Sequence, residues 1–395
     1  MDLEGKDEEP LSSNSKDEKS DNNTNTNNPH ITLQVLEALK QASHDLQQHH
    51  HHHSIQALLQ LHTQYHTFLS TDPLLSSLSL HLTRLNSLVH ALPNPHHQHH
   101  LSLPSFLTRR LNTHSISRLA SDIQSDIQSW IDRQSVDSLS QTLRDPFRNP
   151  DELLALLTQF NQRVSSSHGF NRELQDLVLK FKIFPLLQNV LFDPKCSKRV
   201  REHAAEAVAA LIRFNKDVFV GQVSMGPTIR ALVGMESLNS IEVLCWLIRL
   251  IRSPFVDEIE SNGEIPKIIA LLDSHQDLEM RVLAMDCVLE IGCFGRKEAV
   301  DAMLKEGVVK KLVELQRSEV GGDLIELDKD KRFLEKHPFA SCVARFAVQL
   351  EIGEGLRQRE KRAYKREILI RVREACVSDA ECATIVAEVL WGCSP

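Results

Sequence analysis

The sequence has few aromatic residues and no long run of apolar ones. Phe, Trp and Tyr make up 5% of the 395 residues, whereas apolar residues make up 41%, a balance that suits packing between aliphatic helices. A membrane-spanning helix needs about 20 consecutive apolar residues, and the best candidate, residues 243–251, is interrupted by Arg249. The chain opens with an acidic, polar segment. We therefore expect neither a membrane span nor a signal peptide.

Cysteine is missing from the first 195 residues. All eight cysteines come later, and no two of them form a Cys-x-x-Cys pair. Cys245 and Cys287 lie among apolar neighbours, where a cysteine packs as a small hydrophobic residue. We therefore expect reduced, buried thiols in a cytoplasmic or nuclear protein.

The sequence also lacks the motifs of common enzyme active sites. It contains no Gly-x-Gly-x-x-Gly, Walker, nucleophile-elbow or His-Glu-x-x-His motif. Asp286 and Glu290 are one helical turn apart, as in a general acid–base pair, but on an exposed helix such a pair is far more often a solvated surface. The formal net charge of −8 is against general nucleic-acid binding, which requires a basic surface. We predict a protein that is not an enzyme and that holds no cofactor.

The N-terminal third is rich in low-complexity sequence. Residues 1–30 contain eight acidic residues and a Ser/Asn/Thr-rich run, a composition typical of a disordered tail. Histidine tracts occupy residues 49–53 and 96–100. Imidazole is a common metal ligand, but a homopolymeric tract supplies neither fixed geometry nor supporting hydrogen bonds, so we predict no metal site. Apolar spacing predicts a helical extension over residues 31–145, with one helix at 106–111 and another at 115–131.

A pattern with a period near 40 residues occupies the middle of the chain. A glycine and a short apolar segment over residues 262–272 are followed by a polar break and by a longer predicted helix over 278–291. The short segment returns so that Gly307 matches Gly263 at a spacing of 44 residues. We match Gly226 to the same place, and a weaker copy begins at Lys182. Such periods, with two or three helices each, predict an armadillo or HEAT solenoid.

The repeat at residues 263–291 resembles the armadillo pattern of glycine, short helix, polar gap and long helix, and the resemblance is clearest over roughly residues 180–315. The runs 342–350 and 386–392 resemble plant armadillo-repeat superfamily proteins of unassigned function. The resemblance implies an all-α, armadillo-type α-solenoid with a helical N-terminal extension. We place its repeats at residues 146–335 and a C-terminal helical cap, which a solenoid needs, at 336–395.

The same resemblance implies a non-catalytic scaffold or adaptor that binds protein partners along the groove lined by its long helices. The alternative is a non-catalytic substrate-recognition subunit of a ubiquitin ligase or of another enzyme complex. Importin-like armadillo proteins carry a Trp/Asn ladder, but the places where its asparagines would fall hold Arg213, either Arg249 or Leu250, and Glu290. Residues 31–145 lack the Cys-Pro-Ile motif of a U-box. The sequence therefore supports neither nuclear-signal binding nor intrinsic ligase activity.

Basic side chains recur on two successive predicted long helices. Arg213 and Arg249 are 36 residues apart, and each is followed three residues later by another cation. Trp246 lies one helical turn before Arg249. We predict a basic ridge with one aromatic platform that binds an acidic or phosphorylated protein segment; its residues are Arg213, Lys216, Trp246, Arg249 and Arg252. The alternative is that Glu206 and Glu242 pair with the arginines and that the surface is only solvated.

A second basic run lies near the C-terminus. Residues 356–374 hold eight basic residues against three acidic ones. Anionic lipid, RNA and a nuclear import receptor are the candidate partners for such a run. The interleaved acids Glu360, Glu367 and Glu374 instead favour an exposed helix whose charges pair with one another.

Overall fold

The computed structural model describes residues 29–48, part of 56–63, 75–90, 103–166, 171–273, 277–321 and 336–391. Every regular element in these ranges is a helix. The chain divides into two compact units, unit 1 (residues 1–131) and unit 2 (residues 132–395). The predicted disordered tail up to residue 28, both histidine tracts and most of the predicted loop at 317–336 lie outside the described residues.

Unit 1 contains α1 (Pro29–Gln48), α2 (Ser76–His90) and most of α3 (Leu103–Arg144), with further helical positions within 56–63. Leucine and isoleucine side chains at helical spacing form its core, among them Leu36, Leu39, Leu82, Leu85, Ile123 and Ile127. The Ser43 hydroxyl donates a hydrogen bond to the Ala120 carbonyl at 2.6 Å, which ties α1 to α3. The N-terminal extension is thus helical, as the resemblance implies.

The prediction of two separate helices at 106–111 and 115–131 is wrong, because α3 is continuous for 42 residues. No proline or glycine lies between residues 105 and 144 to interrupt it. Its last turns belong to unit 2, where Val136, Leu139 and Leu143 are buried in the core. The division between the two compact units therefore falls after residue 131, within this helix.

Unit 2 is an all-α solenoid of three-helix repeats. Before the first complete repeat lies one long helix, α4 (Pro150–Ser165). The first repeat comprises α5 (Arg172–Lys180), α6 (Ile183–Phe192) and α7 (Lys198–Phe214). The second comprises α8 (Lys216–Phe219), a 3-10 turn (Val220–Gln222), α9 (Met225–Met235) and α10 (Leu238–Ile251).

The third repeat comprises α11 (Ser253–Ser261), α12 (Ile265–Ala270), a 3-10 turn (Leu271–Asp273) and α13 (Leu278–Phe294). The fourth comprises α14 (Lys297–Lys305), α15 (Val308–Arg317) and α16 (Cys342–Ile352). Two further helices follow, α17 (Gln358–Ala375) and α18 (Asp379–Trp391). Because α16 packs on α13 as α13 packs on α10, the repeats continue beyond residue 335, where the sequence placed the start of the cap.

Most of the long helices begin at a polar residue that caps them. The side chains of Asn149, Ser197, Ser237 and Asp277 each accept a hydrogen bond from a backbone N–H in the first turn of α4, α7, α10 and α13. Such caps satisfy donors that have no partner within the helix. The start of each of these helices is therefore encoded locally.

In three of the four repeats, the turn between the first two helices contains a residue with a left-handed backbone. Gly263 and Gly307 adopt φ values of 68° and 75° there, and Lys182 adopts 54° at the equivalent turn of the first repeat. Glycine takes this conformation without steric cost. The match of Gly226 to this turn is wrong, because Gly226 lies inside α9. A Cβ at Gly226 would lie 2.8 Å from Glu258 Oε1, the end of a flexible side chain.

The long helices α4, α7, α10, α13 and α16 pack in succession. Their core-facing residues include Leu211, Leu244, Ile248 and Val288, each at 0% exposure. Neighbouring repeats cover one another's apolar faces, which is how a solenoid builds a continuous core. Within the ranges described, no helix combines the length and the apolar character that crossing a membrane would require.

Candidate functional site

A hollow of about 270 Å³ lies on the surface shared by three successive long helices. Helix α4 contributes Asn161 and Gln162, α7 contributes Glu206 and Arg213, and α10 contributes Glu242 and Trp246. Spacings of seven and four residues keep the contributions of α7 and α10 on one face of each helix. The opposite faces of α7 and α10 are buried in the core. The stacking of repeats therefore brings these polar side chains together.

Arg213 and Trp246, both predicted as site residues, are in direct contact. The guanidinium carbon of Arg213 lies 4.6 Å from the centre of the Trp246 ring system. The cation and the negative face of the aromatic ring attract one another. Arg213 thus covers the Trp246 ring that is predicted as the aromatic platform. The contact also joins two consecutive repeats across the hollow.

Glu206 lies in the same hollow and accepts a hydrogen bond from Asn161 Nδ2 at 3.3 Å. Burial raises the pKa of the Glu206 carboxyl, and the nearby carboxylate of Glu242 acts in the same direction, although His203 and Asn161 oppose it. The Asn161 side-chain oxygen is buried, and within the described part of the chain it has no hydrogen-bond partner. A hydrogen-bond donor of a ligand would therefore satisfy the Asn161 oxygen and stabilise the Glu206 carboxyl group.

Two of the predicted arginines pair with carboxylates of their own chain. Arg249 Nε lies 2.7 Å from Glu290 Oε1; burial lowers the pKa of Arg249, but the hydrogen bond and charge of Glu290 outweigh burial and raise it. Arg252 Nη1 lies 3.0 and 3.1 Å from the two carboxylate oxygens of Glu354. Intramolecular pairing therefore occurs, but with Glu290 and Glu354, and not with Glu206 and Glu242.

Lys216 is exposed at the first position of α8, two residues after α7 ends. It is not among the residues that line the hollow. The five predicted residues thus fall into three groups. Arg213 and Trp246 form one wall of the hollow, and Arg249 and Arg252 are ion-paired. Lys216 is exposed to solvent at the first position of α8.

Sequence reasoning missed the contribution of α4. Asn161 and Gln162 lie in a helix that precedes Lys182, where the first recognised copy of the short segment begins, so no copy marked this helix in the sequence. The usable signal was the apolar spacing of Leu153, Leu157, Phe160 and Val164, all buried in the structure. This spacing orients Asn161 away from the core. Among the residues described, no group of three or more His, Cys, Asp or Glu side chains is arranged to hold a metal ion.

No protein-family model matches the chain, and no curated protein matches it. Among solved structures, a designed armadillo repeat protein in complex with the peptide (KR)4 is 18% identical, with a TM-score of 0.41, and covers 65% of this chain and 98% of its own. A second designed armadillo repeat protein is 16% identical, with a TM-score of 0.42, over 64% of this chain and 98% of its own. An engineered protein is 14% identical, with a TM-score of 0.42, and covers 91% of this chain and 97% of its own.

Proposed function

We propose that the protein is a non-catalytic scaffold that binds an extended segment of another protein across the long helices of unit 2. The observation that carries the proposal is the hollow between α4, α7 and α10, with the Arg213–Trp246 stack on one side and the unpartnered acceptor of Asn161 on the other. A segment that crosses several repeats contacts each of them through the same face of successive helices.

The charges around the hollow favour an acidic or phosphorylated side chain at one end of the segment. Arg213 is held by an aromatic ring and not by a carboxylate, so its N–H donors remain available for an anion. Lys216 is exposed close to it in sequence. Arg249 and Arg252 already pair with Glu290 and Glu354 and contribute less. We therefore assign recognition of the anion to Arg213 and Lys216.

The other end of the hollow favours a hydrogen-bond donor. Glu206 and Glu242 supply carboxyl oxygens, and Asn161 supplies its side-chain oxygen. Backbone N–H groups or a basic side chain of the partner satisfy these acceptors, and a buried acceptor left without a partner costs free energy. The preferred segment is therefore one that carries an acidic group next to donor groups, and not a uniformly acidic one.

Charge reversal at the anion-binding end tests the proposal. We expect Arg213→Glu with Lys216→Glu to abolish capture of the partners that the wild-type protein retains, measured by affinity purification and quantitative mass spectrometry. Unfolding free energy should change by less than about 1 kcal/mol, since both residues are exposed. Treatment of the lysate with phosphatase separates phosphorylated partners from acidic ones.

The matched control is Lys305→Glu with Lys310→Glu, which changes the net charge equally at exposed positions on α14 and α15. This variant should retain the same partners. If the Arg213 variant also retains them, or if both variants lose them equally, the hollow is not the binding site. A large loss of stability in the Arg213 variant alone would assign that side chain a structural role instead.

A further inference from the structure

Helix α17 carries a stripe of exposed arginines, the arginine stripe, formed by Arg359, Arg362, Arg366 and Arg373. Successive members are three, four and seven residues apart, so all four lie on one face of the helix. The opposite face carries Tyr364, Ile368 and Val372, which are buried in the core of unit 2. The stripe therefore points away from the solenoid core.

Five of the six other charged side chains of α17 make ion pairs or hydrogen bonds within the chain. Lys361 Nζ donates to the Gly353 carbonyl at 2.7 Å, and Lys365 pairs with Glu351 at 3.1 Å. Arg371 pairs with Glu367 at 2.9 Å, and Glu360 accepts from the backbone N–H that opens the helix. The contacts of these residues thus agree with the expectation of a helix whose charges are paired.

The arginine stripe does not follow the expectation of paired charges. None of its four members has an acidic residue three or four positions away, the spacing at which helical charges meet. Among the residues that the structure describes, no carboxylate pairs with them, and Arg366 makes only a bond to the Arg362 carbonyl, at 3.3 Å. Four guanidinium groups with their N–H donors therefore face outward along one line.

The stripe has the length and period of a helix-packing seam. Arg359 and Arg373 are 14 residue steps apart, which at a rise of about 1.5 Å per residue corresponds to about 21 Å along the helix. Arg359, Arg366 and Arg373 recur every seven residues, the repeat by which two packed helices keep the same faces in contact. Ile370 lies between the last two arginines and is 50% exposed, so an apolar contact is available within the row of charges.

We infer that the arginine stripe is a docking surface for an acidic amphipathic helix of a partner protein. Carboxylates three, four and seven residues apart on such a helix reproduce the spacing of the arginines, and an apolar residue between them meets Ile370. The surface lies on α17, apart from the hollow on α4, α7 and α10, and adds a second binding site to the proposed scaffold.

Two other anionic partners fit less well. Glu360, Glu367 and Glu374 directly follow three of the arginines in sequence and lie along one flank of the stripe, so a broad anionic membrane surface would meet carboxylates as well. Single-stranded RNA is bound largely through aromatic side chains on which bases stack. The one aromatic side chain of α17, Tyr364, is buried. A narrow helical partner avoids the flanking acids and needs no aromatic platform.

The probe for the test is a synthetic amphipathic helix of about 21 residues, long enough at about 1.5 Å per residue to cover the stripe. In the seam peptide, glutamates three, four and seven residues apart flank one leucine. A second peptide of identical composition distributes the glutamates around the helix. Fluorescence anisotropy with the full chain should show binding to the seam peptide at least about tenfold tighter than to the second peptide, since only aligned charges pair.

The variant is Arg359→Glu, Arg366→Glu and Arg373→Glu, and its matched control is Lys198→Glu, Lys305→Glu and Lys310→Glu, also at exposed positions. We expect the arginine variant to bind the seam peptide on the order of a hundredfold more weakly, because repulsion replaces several ion pairs. The control should change affinity by less than about threefold.

Three results would overturn the inference. The first is equal binding of the two peptides, which would show that alignment along one helix face does not matter. The second is equal weakening by the two triple variants, which would reduce the effect to net charge. The third is tighter, stripe-dependent binding to phosphatidylserine vesicles or to a polyuridine oligonucleotide. Circular dichroism of both variants confirms that each remains folded, since every substituted residue is exposed.

Discussion

Asp286, on α13, shows how burial competes with charge at a single residue. Burial raises the pKa of its carboxyl, whereas the charges of Arg345 and Arg249 lower it, and burial prevails. A carboxyl group whose pKa is raised in the folded state binds its proton more tightly there than in the unfolded chain. Its contribution to stability is therefore greatest below the unfolded pKa and is lost as pH rises through the folded pKa.

We expect Asp286→Asn, which mimics the protonated form, to stabilise the protein at neutral pH. The gain should shrink as pH falls toward the unfolded aspartate value of about 3.9, where the wild-type carboxyl is itself protonated. Urea unfolding midpoints of both proteins across this range measure the difference. If the variant is instead less stable at neutral pH, attraction to Arg249 and Arg345 exceeds the cost of burial.

Among the elements, the C-terminal helix α18 is held by a buried polar cluster. Glu388 is 6% exposed and accepts hydrogen bonds from Gln316 Nε2 at 2.7 Å and from the Ser341 hydroxyl at 3.0 Å. Gln316 Oε1 in turn accepts from the backbone N–H of Val343 at 3.4 Å. The cluster therefore joins α15, the start of α16 and α18.

Glu388→Ala should destabilise the protein by about 1–3 kcal/mol, because it leaves buried donors of Gln316 and Ser341 without this acceptor. Hydrogen exchange should accelerate most in α18, which loses its attachment. The control is Glu374→Ala, a carboxylate removed from an exposed position on α17, and it should leave the urea midpoint nearly unchanged. Equal midpoints for the two variants would show that apolar contacts alone hold α18.

At the scale of the whole molecule, two apolar cores have separate membership. The core of unit 1 draws on residues from Leu36 to Ile131, and that of unit 2 draws on residues from Val136 to Val389. Asp132, 4% exposed, forms a bidentate ion pair with Arg163, both bonds being 2.7 Å long. Unit 2 therefore contains its own apolar core, and the buried carboxylate of Asp132 finds its ion-pair partner, Arg163, within the same unit.

We expect a chain of residues 132–395 to fold without the preceding residues, because its repeats bury their apolar faces against one another. It should keep a helical circular dichroism spectrum and a cooperative urea transition, and it should retain the partners assigned to the hollow. A chain that is unfolded, or that melts without cooperativity, would show that unit 1 is required for the solenoid to form.

The sequence by itself determined the helices and their buried faces, because both depend on neighbours within a few residues. Ile248 and Val288 lie on apolar stripes at helical spacing, and both are at 0% exposure. Gly263 and Gly307 marked the turns that need positive φ. The continuity of α3 is the exception: apolar spacing predicts a break between residues 111 and 115, although nothing there prevents a helix.

Only the tertiary structure decided which side chains meet between repeats. Arg249 pairs with Glu290, 41 residues away, and not with Glu242 on its own helix. Arg213 is placed over Trp246, and Asn161 from α4 is brought beside Glu206. These contacts depend on the rotation and offset between stacked helices, which are set by the packing of whole apolar faces. A periodic sequence shows which face a residue occupies, but its partner on the next repeat follows only from that packing.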